Sequence, residues 1–188
     1  ANKNPTGKRV TTNDYSSADY YYVNKSSLPK VYGGFNTSLS WKGFDLSAIF
    51  AYSIGGYIYN RDVTMILHNG SLEGRDWSTE ILRRWTPDNR YTDVPALSTT
   101  SNNWNSASTR FLQNNSYMRL KNLTLSYNLP KQWISKLSLS SVQVYVQGDN
   151  LFTIHRNQGL DPEQGITGIT YYRYPAMRTI SGGINVSF

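Results

Sequence analysis

The 188 residues are enough for one domain, at most two. Hydrophobic residues make up 38% and aromatics 14%, and mean hydropathy is −0.53, too polar for a helical enzyme core and too aromatic for a disordered tail. The net charge of +7 is spread out, with no more than two consecutive Lys or Arg, so it lacks the clustered patch that nucleic-acid binding needs. There is no cysteine, hence no disulfide and no thiolate ligand. No apolar run approaches the roughly 20 residues of a membrane helix, which leaves membrane strands of about 9–11 residues open. The polar opening from Ala1 to Pro5 carries no secretory leader, so the chain reads as mature or as a piece of something longer.

The first two predicted strands, 31–41 and 44–52, meet at Lys42-Gly43, a two-residue hairpin turn in which the glycine supplies positive φ. Pairing Trp41 with Phe44 sets Leu39 against Leu46, Thr37 against Ala48 and Phe35 against Phe50. The other face then pairs Ser40 with Asp45, Ser38 with Ser47, Asn36 with Ile49 and Gly34 with Ala51. One face is apolar and aromatic, and the other is mostly small and polar. The long stretch 53–116 reads as a loop with Gly55-Gly56, a short helix over Ser78–Trp85 (Ser78 as N-cap, Glu80 in the first turn) and an Asn/Ser-rich end.

A third strand, 117–127, sets Leu123, Leu125 and Tyr127 against Asn122, Thr124 and Ser126. Leu129-Pro130 stops it, and one helical turn is expected over Trp133–Leu137. The fourth strand, 142–150, sets Val142, Val144 and Val146 against Gln143, Tyr145 and Gln147. After a second long connection, 151–176, the fifth strand runs over 177–188 with Ile180, Ile184, Val186 and Phe188 on one face.

Short and long connections alternate, as in an up-and-down membrane barrel with tight periplasmic turns and long outer loops. With the last strand running inward, Lys42-Gly43 and 128–141 are periplasmic, 53–116 and 151–176 are outside, and residues 1–30 end another outer loop. Trp41, Phe44, Tyr127 and Phe188 then share one interfacial girdle, and Tyr52, Tyr117 and Tyr172 are candidates for the outer one. Arg119 and Lys121 share parity with Leu123, so a regular strand points them at lipid. Either they snorkel, or a bulge near Leu120–Asn122 turns them inward, the favoured reading. Five strands do not close a barrel, so the fold class is all-β: a transmembrane antiparallel β-barrel of which this chain supplies five strands.

Several segments carry a family resemblance. Ser27 to Asn36, Trp41 to Ser47, Asn115 to Pro130, Gly148 to Thr153, Gly159 to Glu163 and Tyr174 to Phe188 resemble, in order, the late barrel strands of SusC/RagA-type TonB-dependent transporters. Asp149 departs from the family's frequent Gln, and 53–116 matches poorly. The resemblance implies that residues 1–188 are the C-terminal part of one TonB-dependent receptor barrel of about 22 strands, with plug and TonB-contacting segments not present. It also implies the outer membrane of a Gram-negative, Bacteroidetes-type bacterium. Its implied partners are a SusD-like surface lipoprotein, the TonB complex, outer-membrane lipid and lipopolysaccharide, and an oligosaccharide or peptide substrate. Phe188, with Val186 and Ile184, becomes an assembly signal by the same resemblance. The alternatives are a soluble β-sandwich carbohydrate-binding module and a non-TonB porin-like barrel fragment.

No catalytic, metal or cofactor site is expected. His68 and His155 read as exposed loop histidines, and Asp161-Pro162-Glu163 as a loop-structuring motif with Asp161 capping a turn. Trp77, Trp85, Trp104, Tyr57, Tyr59 and Tyr91 crowd the long loop. They are candidate contacts to substrate or partner, and the rival reading makes them that loop's own small core.

Overall fold

The computed structural model describes Thr12 and residues 14–70, 72–100, 103–157, 159, 161–163, 167–170 and 172–188; Leu160 of the Gly159–Glu163 motif lies outside the described residues. Five long strands dominate: β1 (Val31–Trp41), β2 (Phe44–Ile54), β5 (Tyr117–Asn128), β6 (Ser141–His155) and β7 (Thr179–Ser187). Between β2 and β5 lie β3 (Tyr57–Tyr59), helix α1 (Arg61–Ile66) and β4 (Leu112–Asn114). The helix α2 (Lys131–Ile134) and a following 3-10 turn connect β5 to β6, starting two residues before the expected helical turn. The long strands form one antiparallel sheet in the order β1-β2-β5-β6-β7, and β3 and β4 form a separate pair. No helix among the described residues is long and apolar enough to cross a membrane.

The hairpin register is the expected one at every position from Gly34↔Ala51 to Trp41↔Phe44. Lys42 (φ 47°) and Gly43 (φ 87°) are both left-handed, the conformation whose twist matches the flanking strands. Directly paired residues share a face, so the apolar face can be followed across the sheet in rows. One row is Trp41, Phe44, Tyr127, Val144 and Ile184, and the next is Leu39, Leu46, Leu125, Val146 and Gly182. Phe35 and Phe50 stack at 4.8 Å, and Phe44 meets Tyr127 at 4.5 Å. This face is uncovered: Leu39 is 66% exposed and Ile180 75%.

The opposite face is laced by hydrogen bonds. Asp45 accepts from Ser40 (2.5 Å) and Asn128 (2.7 Å). Gln143 links Ser126 to Asn185 across β5, β6 and β7. Asp149 accepts from Asn122 across the strand pair (2.8 Å) and from Gln147 on its own strand (3.2 Å), so the carboxylate that departs from the family pattern is satisfied by side-chain amides. Tyr145 lies over Gly183, where any Cβ would come within 2.7 Å of its hydroxyl.

The bulge is present. Asn122 pairs with Ile49 and Leu120 with Phe50, which leaves Lys121 without a partner in β2. Across β6, Leu120 pairs with Phe152 and Asn122 with Asp149, and the bulged Asn150 has φ 52°. Parity therefore reverses at Lys121. Leu120 and Met118 take the apolar face and Arg119 the polar one. The same reversal corrects the girdle: Tyr117 pairs with Ser53 and His155 and lies on the polar face, whereas Tyr52 keeps its place on the apolar face.

The chain divides into two compact units. One is the five-stranded sheet with its adjoining segments. The other comprises 1–26, 58–113 and 167–173. It has a small core of Leu67, Ile81 and Val94, with Val63 and Trp104 packed against it. Its α1 is capped by Asn60, whose side chain accepts from the Val63 amide at 3.1 Å. Ser78 caps the next turn as expected, although that turn is a 3-10 helix over Thr79–Arg83. The stretch 53–116 is thus more structured than a loop reading allows.

Candidate functional site

The polar face of the sheet carries an ion cluster. Arg119 is only 3% exposed, and three groups accept its hydrogen bonds. Its Nε donates to Thr153 Oγ1 at 2.9 Å, one terminal nitrogen to Glu163 Oε2 at 2.8 Å, and the other to Asp161 Oδ1. Lys121, turned to this side by the bulge, donates to both oxygens of Glu163 at 2.5 and 2.6 Å. Two cations face two carboxylates, so the cluster is neutral. The sheet's two charges that had no place in lipid hold the loop beyond β6 against its polar wall.

Asp161 also orders that loop. Its oxygens accept from the Glu163 amide (2.9 Å) and the Ala176 amide (2.7 Å), tying together both ends of the segment. Asn115 adds a bond to the Pro162 carbonyl at 2.8 Å. Burial pushes the Asp161 pKa up, but the Ala176 and Glu163 amides and Arg119 outweigh it, and the carboxyl titrates below its ordinary value of 3.8. A depressed folded pKa gives stability that is complete above the unfolded value and is lost as pH falls through the folded one. The loop is therefore expected to stay clasped from neutral pH down to about pH 4 and to gain protease sensitivity only below it. Acid-stable protease digested against pH checks this; release already at pH 6 sinks it.

Sequence reasoning had both halves of this cluster, the misplaced Arg119 and Lys121 and the isolated Asp161 and Glu163, without joining them. The signal was their shared need: cations turned inward require acids on the same face.

The six loop aromatics separate. Trp104 belongs to the small core: its Nε1 donates to the Leu67 carbonyl at 2.5 Å and Arg110 lies 3.5 Å over its ring. Tyr91 is wholly exposed, beside the salt-bridged Arg83. Trp77 and Trp85 are half-exposed, and Tyr57 and Tyr59 are half-buried. Tyr59 meets Phe111 edge-on at 6.2 Å. His68 is not an exposed loop residue. It is 1% exposed, and its Nδ1 accepts from Trp77 Nε1 at 3.0 Å, so Trp77 is pinned rather than free. Burial holds the His68 pKa below normal, so the ring is neutral and acts as an acceptor here. His155 is exposed, at the end of β6.

A second group of rings went unnoticed in the sequence. Tyr15, Tyr20, Tyr21 and Tyr59 line a groove of about 500 Å³ with Ala107, Leu112 and neighbouring residues. The Tyr15 hydroxyl donates to the Ala107 carbonyl at 2.7 Å, which fixes one wall to the other. The visible signal was Tyr20-Tyr21-Tyr22, three aromatics in succession.

The girdle and assembly candidates Trp41, Phe44, Tyr127, Ile184, Val186 and Phe188 all lie at the hairpin-turn end of the apolar face, with Phe188 92% exposed. The chain is similar to two TonB-dependent receptors of Formosa agariphila, at 34% identity over 82% of this chain and at 30% over 92%. It is also 27% identical, over 89% of its length, to the TonB-dependent receptor SusC of Bacteroides thetaiotaomicron. Its fold matches a solved structure of the RagAB peptide importer in a closed-closed state with a TM-score of 0.83, 36% identity and 98% of this chain covered. The open-open state matches at 0.82.

The chain belongs to the SusC/RagA-type TonB-dependent receptors. It spans only 16–20% of the length of these relatives. No family model matches it. As part of such a receptor it is outer-membrane β-barrel wall, which explains why its apolar face is left uncovered. The matched proteins are receptors and importers, and none is an enzyme by name.

Proposed function

We propose that this chain forms the C-terminal wall and outer loops of a TonB-dependent importer that takes up peptides, working with a SusD-like surface lipoprotein. The observation that carries the reading is the five-stranded sheet, apolar on one face and hydrogen-bonded on the other, which superposes over 98% of the chain on part of a peptide importer. The full barrel has about 22 strands and encloses a plug supplied by the rest of the protein. TonB contact belongs to those other parts. The hairpin-turn end faces the periplasm, and Phe188, Val186 and Ile184 act there as the assembly signal. Trp77, Trp85, Tyr57, Tyr59 and Tyr91 sit in the outer loop as contacts for substrate or lipoprotein, and Trp104 supports them from the core.

Deleting the gene for the full-length receptor is expected to abolish uptake of labelled oligopeptides by intact cells and to leave oligosaccharide uptake unchanged. Loss of oligosaccharide uptake alone would assign a glycan substrate instead, and no change in either would overturn the import reading.

A further inference from the structure

The tyrosine groove has features that point to a particular ligand. Its rings are held before anything binds: Tyr15 is tied to the Ala107 carbonyl, and Tyr59 rests against Phe111. Tyr20, by contrast, is 85% exposed, a large ring offered to solvent. Among the described residues Asp19 is the only charged residue in the lining, and it makes no ion pair with another of them. The segment Asp19–Val23 belongs to no helix or strand, and its backbone makes no hydrogen bond with other described residues. Unpaired main-chain donors and acceptors beside aromatic walls suit another main chain, since an added extended segment is held by backbone bonds and its side chains enter the pockets. The lone carboxylate complements a cation, and an ammonium is also attracted by tyrosine faces.

We infer that this groove binds extended peptides bearing an ammonium group, with the cation at Asp19, apolar side chains between Tyr15, Tyr20, Tyr21 and Tyr59, and the peptide backbone alongside Asp19–Val23. The inference rests on the peptide-import reading and names a site and a charge preference for it.

The test is calorimetry on the full-length receptor in detergent with three probes. One is an apolar hexapeptide with two lysines at its amino end, another has glutamates in their place, and the third is a neutral malto-oligosaccharide. The lysine peptide is expected to bind best. Asp19→Asn should weaken it about fivefold, the scale of one partly exposed ion pair, while sparing the glutamate peptide. Tyr20→Ala with Tyr21→Ala should weaken both peptides at least tenfold through lost ring contact. Both tyrosines are exposed, so these variants should keep the wild-type unfolding temperature. Equal affinity of the two peptides in wild type and Asp19→Asn overturns the charge assignment. Unchanged peptide affinity in the double tyrosine variant overturns the site. In that case, loss of malto-oligosaccharide binding identifies a glycan groove, and loss of lipoprotein capture identifies a protein-docking surface. Failure of the import reading is separable: Asp19-dependent binding without peptide uptake by cells overturns import alone.

Discussion

Arg119→Met in the full-length receptor is expected to cost about 3–5 kcal/mol, because it strands a buried carboxylate without its counter-charge. Asp161 is the group left exposed to that penalty: its side chain is 7% accessible, and two backbone amides hold it in place while the guanidinium that neutralises it is gone. Denaturant unfolding in detergent measures the loss, and faster protease cleavage between 156 and 176 locates it. Lys121→Met should cost no more than about 1 kcal/mol, since Lys121 and Glu163 are each about one-third exposed and water replaces the missing partner. Adding Asp161→Leu to Arg119→Met should recover much of the loss, because removing both charges of a buried pair is often neutral. Equal losses for the Arg119 and Lys121 variants would contradict the burial argument. A double variant as unstable as the single one would show that Arg119 works by packing rather than by charge.

The strands were legible in the sequence because two independent patterns agreed. The Lys42-Gly43 turn fixed a register, and that register sorted residues as unlike as Trp41 and Ser40 onto opposite faces over eight pairs. The bulge was legible by conflict alone: two cations on a lipid face are costly enough to imply an extra residue. The same bulge also moves Tyr117 to the polar face, two residues before Arg119, where no misplaced charge marks the change. What stayed dark was tertiary. The core of Leu67, Ile81 and Val94 draws on segments separated by turns, and α1 has only six residues, too few to show a 3.6-residue period. The Arg119–Asp161 contact joins positions 42 apart, and nothing local marks it. Tyr91 and Trp104, alike as loop aromatics in the sequence, end as a free ring and a core ring.

Val146→Arg is expected to block barrel assembly where Gln147→Arg does not. Position 146 is the sharper choice over 144. Val144 shares the row of Trp41, Phe44 and Tyr127, the proposed girdle, and at an interface a lysine or arginine costs about 0–1 kcal/mol. Val146 lies one row deeper, between Leu125 and Gly182, where the cost approaches about 2–4 kcal/mol. Gln147 faces the other way and already donates to Asp149, so an arginine there gains a carboxylate partner in a wet interior. The amount of folded receptor recovered in the outer membrane reads the difference. Removing Phe188 should lower the same yield, because it takes away an exposed aromatic just past β7. If arginine is tolerated equally at 146 and 147, the facing of β6 is wrong, and with it every row that runs through Leu125 and Gly182. If it is tolerated at 146 and not at 147, the apolar rows face inward, and Arg119 with Asp161 would lie on the membrane side, where a neutral buried cluster could survive but the side-chain amides of Asn122 and Gln147 could not.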